Sequence, residues 1–93
     1  MLFLLHTSRT EGLEELRILG GDEDKAVLLV GDAVYLGLPG QVDVFETLGV
    51  DAVFAARDAV SVRGVVPAEA VAVLGYDGMA KLILDDHDQV ISL

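Results

Sequence analysis

Residues 25–38 read KAVLLVGDAVYLGL, and within them five apolar residues, Ala26 to Val30, run unbroken into Gly31-Asp32 and then into a second apolar segment. A short apolar run bounded by turn residues has the pattern of a strand buried on both faces, succeeded here by a helix. Residues just past such a strand lie at the carboxyl edge of the sheet, where open α/β folds place their working groups. Asp32 is the first candidate there.

The same alternation continues outward in both directions. Toward the N-terminus, Leu2 to Leu5 form an apolar strand that ends at His6-Thr7-Ser8, and Thr10 is placed to cap the next element. From Glu11, the residues Leu13, Leu16 and Leu19 or Gly20 have helical spacing, and Gly20-Gly21-Asp22 stops the helix. Toward the C-terminus, Asp32 to Leu38 is helical until Pro39-Gly40, and Val42, Phe45 and Leu48 resume the spacing until Gly49, giving one kinked helix or two short ones. Ala52 to Ala56 is a third strand, and a helix from Asp58 to Arg63 ends at Gly64. Ala70 to Leu74 is a fourth strand, leading into a helix that carries Ala80, Ile83 and Leu84, with Asp77 expected as its N-cap. After the acidic turn Asp85-Asp86-His87-Asp88, the residues Val90, Ile91 and Leu93 make a short edge strand. Strands alternating with helices imply right-handed crossovers. The expected fold is a single α/β domain over residues 1–93, a three-layer α/β/α sandwich with a mainly parallel sheet of four to five strands.

A chain of 93 residues buries a limited core, and a partner surface would help it. Val42, Val44, Phe45 and Leu48 are more apolar than one helix face needs, which marks them as a candidate interface in a homodimer. Although 53% of the residues are hydrophobic, no apolar run approaches the roughly 20 residues that cross a bilayer. The opening MLFLLHTSRT lacks a basic start and is too short in its apolar part for a signal peptide, so a soluble cytoplasmic protein is expected. The chain has no cysteine, which removes disulfides, thiolate metal sites and a cysteine nucleophile. Its net charge of −10, from 16 acidic residues against 6 basic ones, leaves counterion release unable to drive direct nucleic-acid binding.

The sequence contains neither G-x-G-x-x-G nor G-x-x-x-x-G-K-[ST], so no dinucleotide or phosphate cradle is expected. His6, Thr7, Ser8 and Asp32 could together supply a base, a hydroxyl nucleophile and an orienting carboxylate. Ser8 has no G-x-S-x-G elbow, however, and short polar side chains at strand ends commonly hydrogen-bond nearby backbone instead. Thr7, Ser8, Asp32 and Asp58 are therefore the candidate polar edge of the sheet, with no catalytic, cofactor or metal role assigned. The Asp85–Asp88 cluster lacks the Gly and Glu of a calcium loop and reads as a solvated turn. Arg63-Gly64 reads as a helix C-terminus, a cation on the negative dipole end beside a left-handed glycine.

In order, the opening strand to His6-Thr7-Ser8, the strand VLLVGDAVY, the segment Asp58-x-x-x-x-Arg63-Gly64, the pair Tyr76-Asp77 and the acidic His87 turn resemble the DsrH/TusB family of sulfur-relay subunits. The resemblance covers nearly the whole chain and rests on motifs that are individually weak. The family's Asp-Gly stands here as Asp32-Ala33, its Ala-Arg-Gly as Val62-Arg63-Gly64, its Asp-Tyr as Gly75-Tyr76 with the acid at Asp77, and its frequent terminal Trp as Leu93. Where some members carry a cysteine in the first helix, this chain has about there Glu15, so it is similar to the cysteine-free branch. The resemblance implies a small cytoplasmic α/β/α subunit that assembles with DsrE- and DsrF-like (TusD- and TusC-like) partners. A cysteine of the DsrE-like partner would carry the persulfide, for tRNA wobble-uridine 2-thiolation or for sulfur oxidation. A different reading of the same polar edge is a stand-alone ligand-binding or hydrolytic α/β domain.

The acidity, with only Lys25 and Lys81 as lysines, has the look of a protein from a high-salt cytoplasm. Screening should relieve repulsion among the 16 acidic groups. The expected outcome is a thermal unfolding midpoint that climbs from low to molar chloride; a flat or falling midpoint across that series counts against a halophilic origin.

Overall fold

Four-residue apolar segments repeat at β-strand length because each must satisfy its backbone in a sheet while burying side chains on both faces. The computed structural model describes residues 1–21, 23–86 and 89–93. Its elements in chain order are β1 (Leu2–Leu5), α1 (Glu14–Gly20), β2 (Ala26–Leu29), a 3-10 segment (Gly31–Gly37), α2 (Asp43–Thr47), β3 (Ala52–Ala56), α3 (Arg57–Arg63), β4 (Val71–Leu74), α4 (Tyr76–Leu84) and β5 (Val90–Ser92). These strands form one sheet in the order β4-β3-β2-β1-β5, with parallel pairing throughout, as in Leu2 opposite Ala26, Ala26 opposite Ala52, and Leu2 opposite Val90.

That order decides where every helix goes. From β1 to β4 each strand is laid on the same side of its predecessor, so three right-handed crossovers deposit α1, the 3-10 segment with α2, and α3 on one face. The connection from β4 to β5 runs back across the sheet, and the same handedness puts α4 on the opposite face. Packing obeys this division. Phe3, Leu5, Val27, Leu29, Ala55 and Val71 meet Leu13 just before α1, Leu16 of α1, Val34 and Leu36 of the 3-10 segment, and Phe45 of α2. On the other side Leu2, Leu4, Ala26, Leu28, Phe54 and Leu74 meet Met79, Leu82 and Ile83 of α4. The α/β/α sandwich is thus present, with a five-stranded parallel sheet among the described residues. Among those residues no helix is long and apolar enough to cross a membrane.

Residues 26–29 form their strand as expected, and all four are buried. The segment after them winds as a 3-10 helix rather than an α-helix. Gly31, at φ +55°, turns the chain sharply off the strand. Gly37, at the far end of the segment, lies close to the sheet. A Cβ there would lie 3.2 Å from Leu29 Cδ1 and 3.5 Å from Val71 Cγ2, so the backbone rests close on the sheet and a side chain would require Leu29 to give way by a few tenths of an ångström. Its carbonyl then accepts a hydrogen bond from the Ala68 amide at 2.7 Å, tying the approach to β4 onto the same segment.

Other boundaries differ from the sequence reading. α1 begins at Glu14, without a side-chain cap from Thr10, because residues 11–13 form a turn first. α4 is preceded by Gly75 in extended conformation, so Asp77 sits within the first turn and makes no capping bond. α3 ends as read, with Gly64 in the left-handed region at φ 63°. Asp22, the last residue of the expected Gly20-Gly21-Asp22 stop, and His87 and Asp88 of the acidic turn lie outside the described residues.

The expected interface is corrected by the packing. Phe45 and Leu48 are 1% and 4% exposed and belong to the main core, while Val42 and Val44 are half-buried against it. α2 is only five residues long, too short to present separate inward and outward apolar faces, and its apolar side chains are drawn under it and over the 3-10 segment.

Lys25 has a role the sequence did not signal. It is the one buried charged residue among those described, 6% exposed. Its ammonium donates to the Gly21 carbonyl at 2.7 Å, closing the C-terminal end of α1. Its backbone amide donates to Asp51 Oδ2 at 2.9 Å and its carbonyl accepts from the Asp51 amide at 2.8 Å, which fixes the entry of β2 against that of β3. The stem of Lys25 fills the space where Gly20 has no side chain, and an added Cβ would overlap both its Cε and Cδ. Gly20→Ala ordinarily favours a helix by about 1 kcal/mol. Here it should instead destabilise the fold by about 1–2 kcal/mol through overpacking. In a Lys25→Ala background the same substitution should become neutral or stabilising. Urea unfolding of the four variants checks the sign reversal, and an unchanged sign would refute this account of Lys25.

Candidate functional site

All described strands being parallel, their carboxyl ends meet at one edge, and the loops beyond them carry the polar candidates: Thr7 and Ser8 after β1, Asp32 after β2, and Asp58 in the first turn of α3 after β3. All four are exposed. The structure joins Asp32 to a residue that sequence reasoning placed elsewhere. Arg63, at the end of α3, donates from Nε and Nη2 to the same oxygen, Asp32 Oδ1, at 3.0 and 2.9 Å. Its remaining Nη1 donates to the Ala59 carbonyl at 3.2 Å, which fixes the guanidinium against its own helix. The arginine side chain is 24% exposed and the aspartate 66%, so the pair contributes at most about 1 kcal/mol. Its effect is geometric: it staples the start of the 3-10 segment to the end of α3 and occupies the first carboxylate at the edge.

His6 is likewise committed. Its Nε2 is 2.9 Å from Ser92 Oγ, linking the end of β1 to β5. Among the described residues the side chains of Thr7, Ser8 and Asp58 make no hydrogen bond. With His6 engaged by Ser92 and Asp32 by Arg63, the base, nucleophile and orienting carboxylate of a hydrolytic triad are not assembled around Ser8. Beside His6 lies a concavity of about 160 Å³ whose walls include Leu5, Thr7, Leu13, Glu15 and Leu93. That is below the roughly 300 Å³ at which ordinary ligand pockets begin. Glu15, the position that the family resemblance aligns with a thiol in some relatives, stands on its rim as an exposed carboxylate. Among the described residues no three histidine or acidic side chains converge on a metal position.

The partnership of Asp32 with Arg63 escapes sequence reasoning because the two are 31 residues apart, and Arg63 has a sufficient local explanation as a helix-terminal cation. Arg57 escapes it for the opposite reason. It opens α3 with no motif around it, yet its guanidinium lies 3.2 Å from where a Gly75 Cβ would be, against the N-terminal end of α4. Both arginines therefore crowd the carboxyl edge of an otherwise strongly acidic chain.

No family model matches this chain, and no curated protein matches it. Among solved structures, the crystal structure of the ychN protein from E. coli superposes with a TM-score of 0.68 at 16% sequence identity, over 99% of this chain and 97% of that one. At that identity the likeness is one of architecture, and it runs nearly the full length of both chains: the protein shares the α/β fold of that structure, a five-stranded parallel sheet with helices.

Proposed function

We propose that this chain is a non-catalytic subunit of a cytoplasmic sulfur-relay assembly, of the kind that serves tRNA wobble-uridine 2-thiolation or sulfur oxidation. The observation that carries the reading is the coincidence of a DsrEFH-like fold over the whole chain with a complete lack of cysteine. Relay requires a nucleophile that can hold a transferable sulfur as a persulfide, and among side chains only a cysteine thiolate does this readily. The chain's sulfur atoms are the thioethers of Met1 and Met79, each already alkylated on both sides. Glu15 offers a carboxylate with no comparable chemistry.

On this reading the subunit contributes surface. The thiol belongs to a DsrE-like (TusD-like) partner, and a DsrF-like (TusC-like) subunit completes the assembly. The committed state of His6 and Asp32 supports the same view, because the edge where the fold would carry chemistry is occupied by structural hydrogen bonds.

The test is sulfur transfer monitored by intact-mass spectrometry. Incubated with a cysteine desulfurase, cysteine and a reductant, this chain should gain no covalent sulfur, while a cysteine-bearing DsrE-like protein from the same cell gains sulfur and co-elutes with it. A reproducible increase of about 32 Da on this chain, one sulfur atom, would force a catalytic role on it. Failure of the two proteins to associate would sink the subunit reading.

A further inference from the structure

Each strand from β1 to β4 is laid beside the last, and β4 ends the sheet with no strand on its outer side. The ladder determines which of its backbone groups are left over. The Asp51 amide donates to the Lys25 carbonyl, so the odd-numbered residues of β3 turn their N–H and C=O toward β2 and the even-numbered ones toward β4. Phe54 is opposite Ala72 in the parallel register, and it therefore bonds to Val71 and Val73 on either side of it. Ala72 is left with amide and carbonyl both pointing off the sheet. Neither has a partner among the described residues, and Ala72 is exposed.

An open edge of this kind is a template for another strand. Sheets that avoid such pairing carry charge, proline, a bulge or a cover on the edge. β4 reads Val71-Ala72-Val73-Leu74, with no charge and no proline, and its register with β3 runs through all four residues without a bulge. The crossover that leads into it is loosely packed. α3 contributes no buried residue, and Val62 in its last turn and Val66 beyond it are 81% and 78% exposed.

The sequence of the strand indicates which strand fits. Val71-Ala72-Val73 reads the same in both directions about Ala72. A two-fold axis at Ala72, normal to the sheet, lays two copies antiparallel with Val71 of each opposite Val73 of the other and the smallest side chain at the axis. Such an axis also keeps the layers in line: Val71 belongs to the core on the α1 side, whereas Ala72 and Leu74 alternate onto the α4 side. Charge does not select the direction. Glu69 stands at one end of the strand and Arg57, Asp58 and Asp77 at the other, so both ends are acidic and salt is needed to screen them.

We infer that two copies of this chain join edge to edge through β4, antiparallel about a two-fold axis at Ala72, so that one sheet runs through both. The Ala72 amide of each copy donates to the Ala72 carbonyl of the other, closing the hydrogen-bonded pair on the axis. This pairing is independent of the sulfur-relay reading.

Light scattering and amide exchange at micromolar protein in molar chloride test it. The wild type should show twice the monomer mass, and exchange of the Ala72 amide should quicken as the protein is diluted to monomer. Ala72→Pro deletes only the outward N–H and leaves the ladder to β3 intact; it should weaken dimerisation about thirtyfold, the loss of two backbone hydrogen bonds. Ala72→Lys keeps every backbone group, sets two cations at the axis and should return the monomer mass with an unaltered circular dichroism spectrum. Leu84→Asp, on α4 and 77% exposed, should remain dimeric. A monomeric wild type, a dimer that survives Ala72→Lys, a dimer broken equally by Leu84→Asp, or an Ala72 amide whose exchange ignores dilution would each overturn the proposal.

Discussion

A parallel strand pair can be closed only by a crossover, and the crossover turns to the right. Nearly everything distinctive about this chain comes from applying that constraint four times to the order β4-β3-β2-β1-β5. Three crossovers in one direction fill one face, and one return crossover must cover the other alone. The filled face hence holds Phe3, Val27, Leu29 and Ala55 at 0% exposure, while Phe54 and Leu4 on the other remain partly accessible. The asymmetry is a consequence of topology and does not require a special sequence on the thinner side.

The same constraint gathers the strand ends at one edge and leaves the sequence to decide what stands there. Here the decision is structural. Arg63 folds back on Asp32, and His6 reaches Ser92. Each interaction joins segments distant in the chain, and together with the Gly37 carbonyl held by Ala68 they bind elements that have few residues with which to hold one another. A domain of this size has little apolar area to spare, so using polar edge residues as staples is consistent with a chain whose chemistry, on the proposed reading, is done by its partners.

Strand positions were legible because their signal is local: four consecutive apolar residues such as Ala26–Leu29 have no other comfortable place than a doubly covered strand. The left-handed stop at Gly64 was legible for the same reason. The nature of residues 31–37 was not, since apolar spacing over seven residues does not separate a 3-10 helix from an α-helix. Helical spacing in Val42, Phe45 and Leu48 was real, but spacing cannot say whether an apolar face looks inward or outward, and a five-residue helix turned it inward. At the edge, Thr7, Ser8, Asp32 and Asp58 follow the ends of β1, β2 and β3, and those ends are set by the pattern. The partners of that edge were not legible, because Arg63 and Ser92 come from distant parts of the chain. The line of Tyr76, Ala80 and Leu84 on α4 had a readable period of four, obscured by Ile83, which packs inward beside it.

Acidity and apolarity pull against each other in this molecule, and the location of each settles the balance. Apolar residues make up 53% of the chain, more than a thinly covered five-stranded sheet can bury, while 16 carboxylates on a small surface repel one another and oppose compaction. The acids are concentrated where no packing is needed: Glu14 and Glu15 on the outer side of α1, Asp43 and Glu46 on α2, Asp85 and Asp86 beyond α4. Part of the exposed apolar surface, Tyr76 and Leu84, lies on α4, whose own residues sum to zero charge, and part lies elsewhere, at Ile18, Val62 and Val66. A surface from which charge has been withdrawn loses little solvation when it is covered, whereas covering the acidic faces would cost the hydration of several carboxylates. The thinly covered layer is therefore also the one whose helix, α4, carries no net charge of its own.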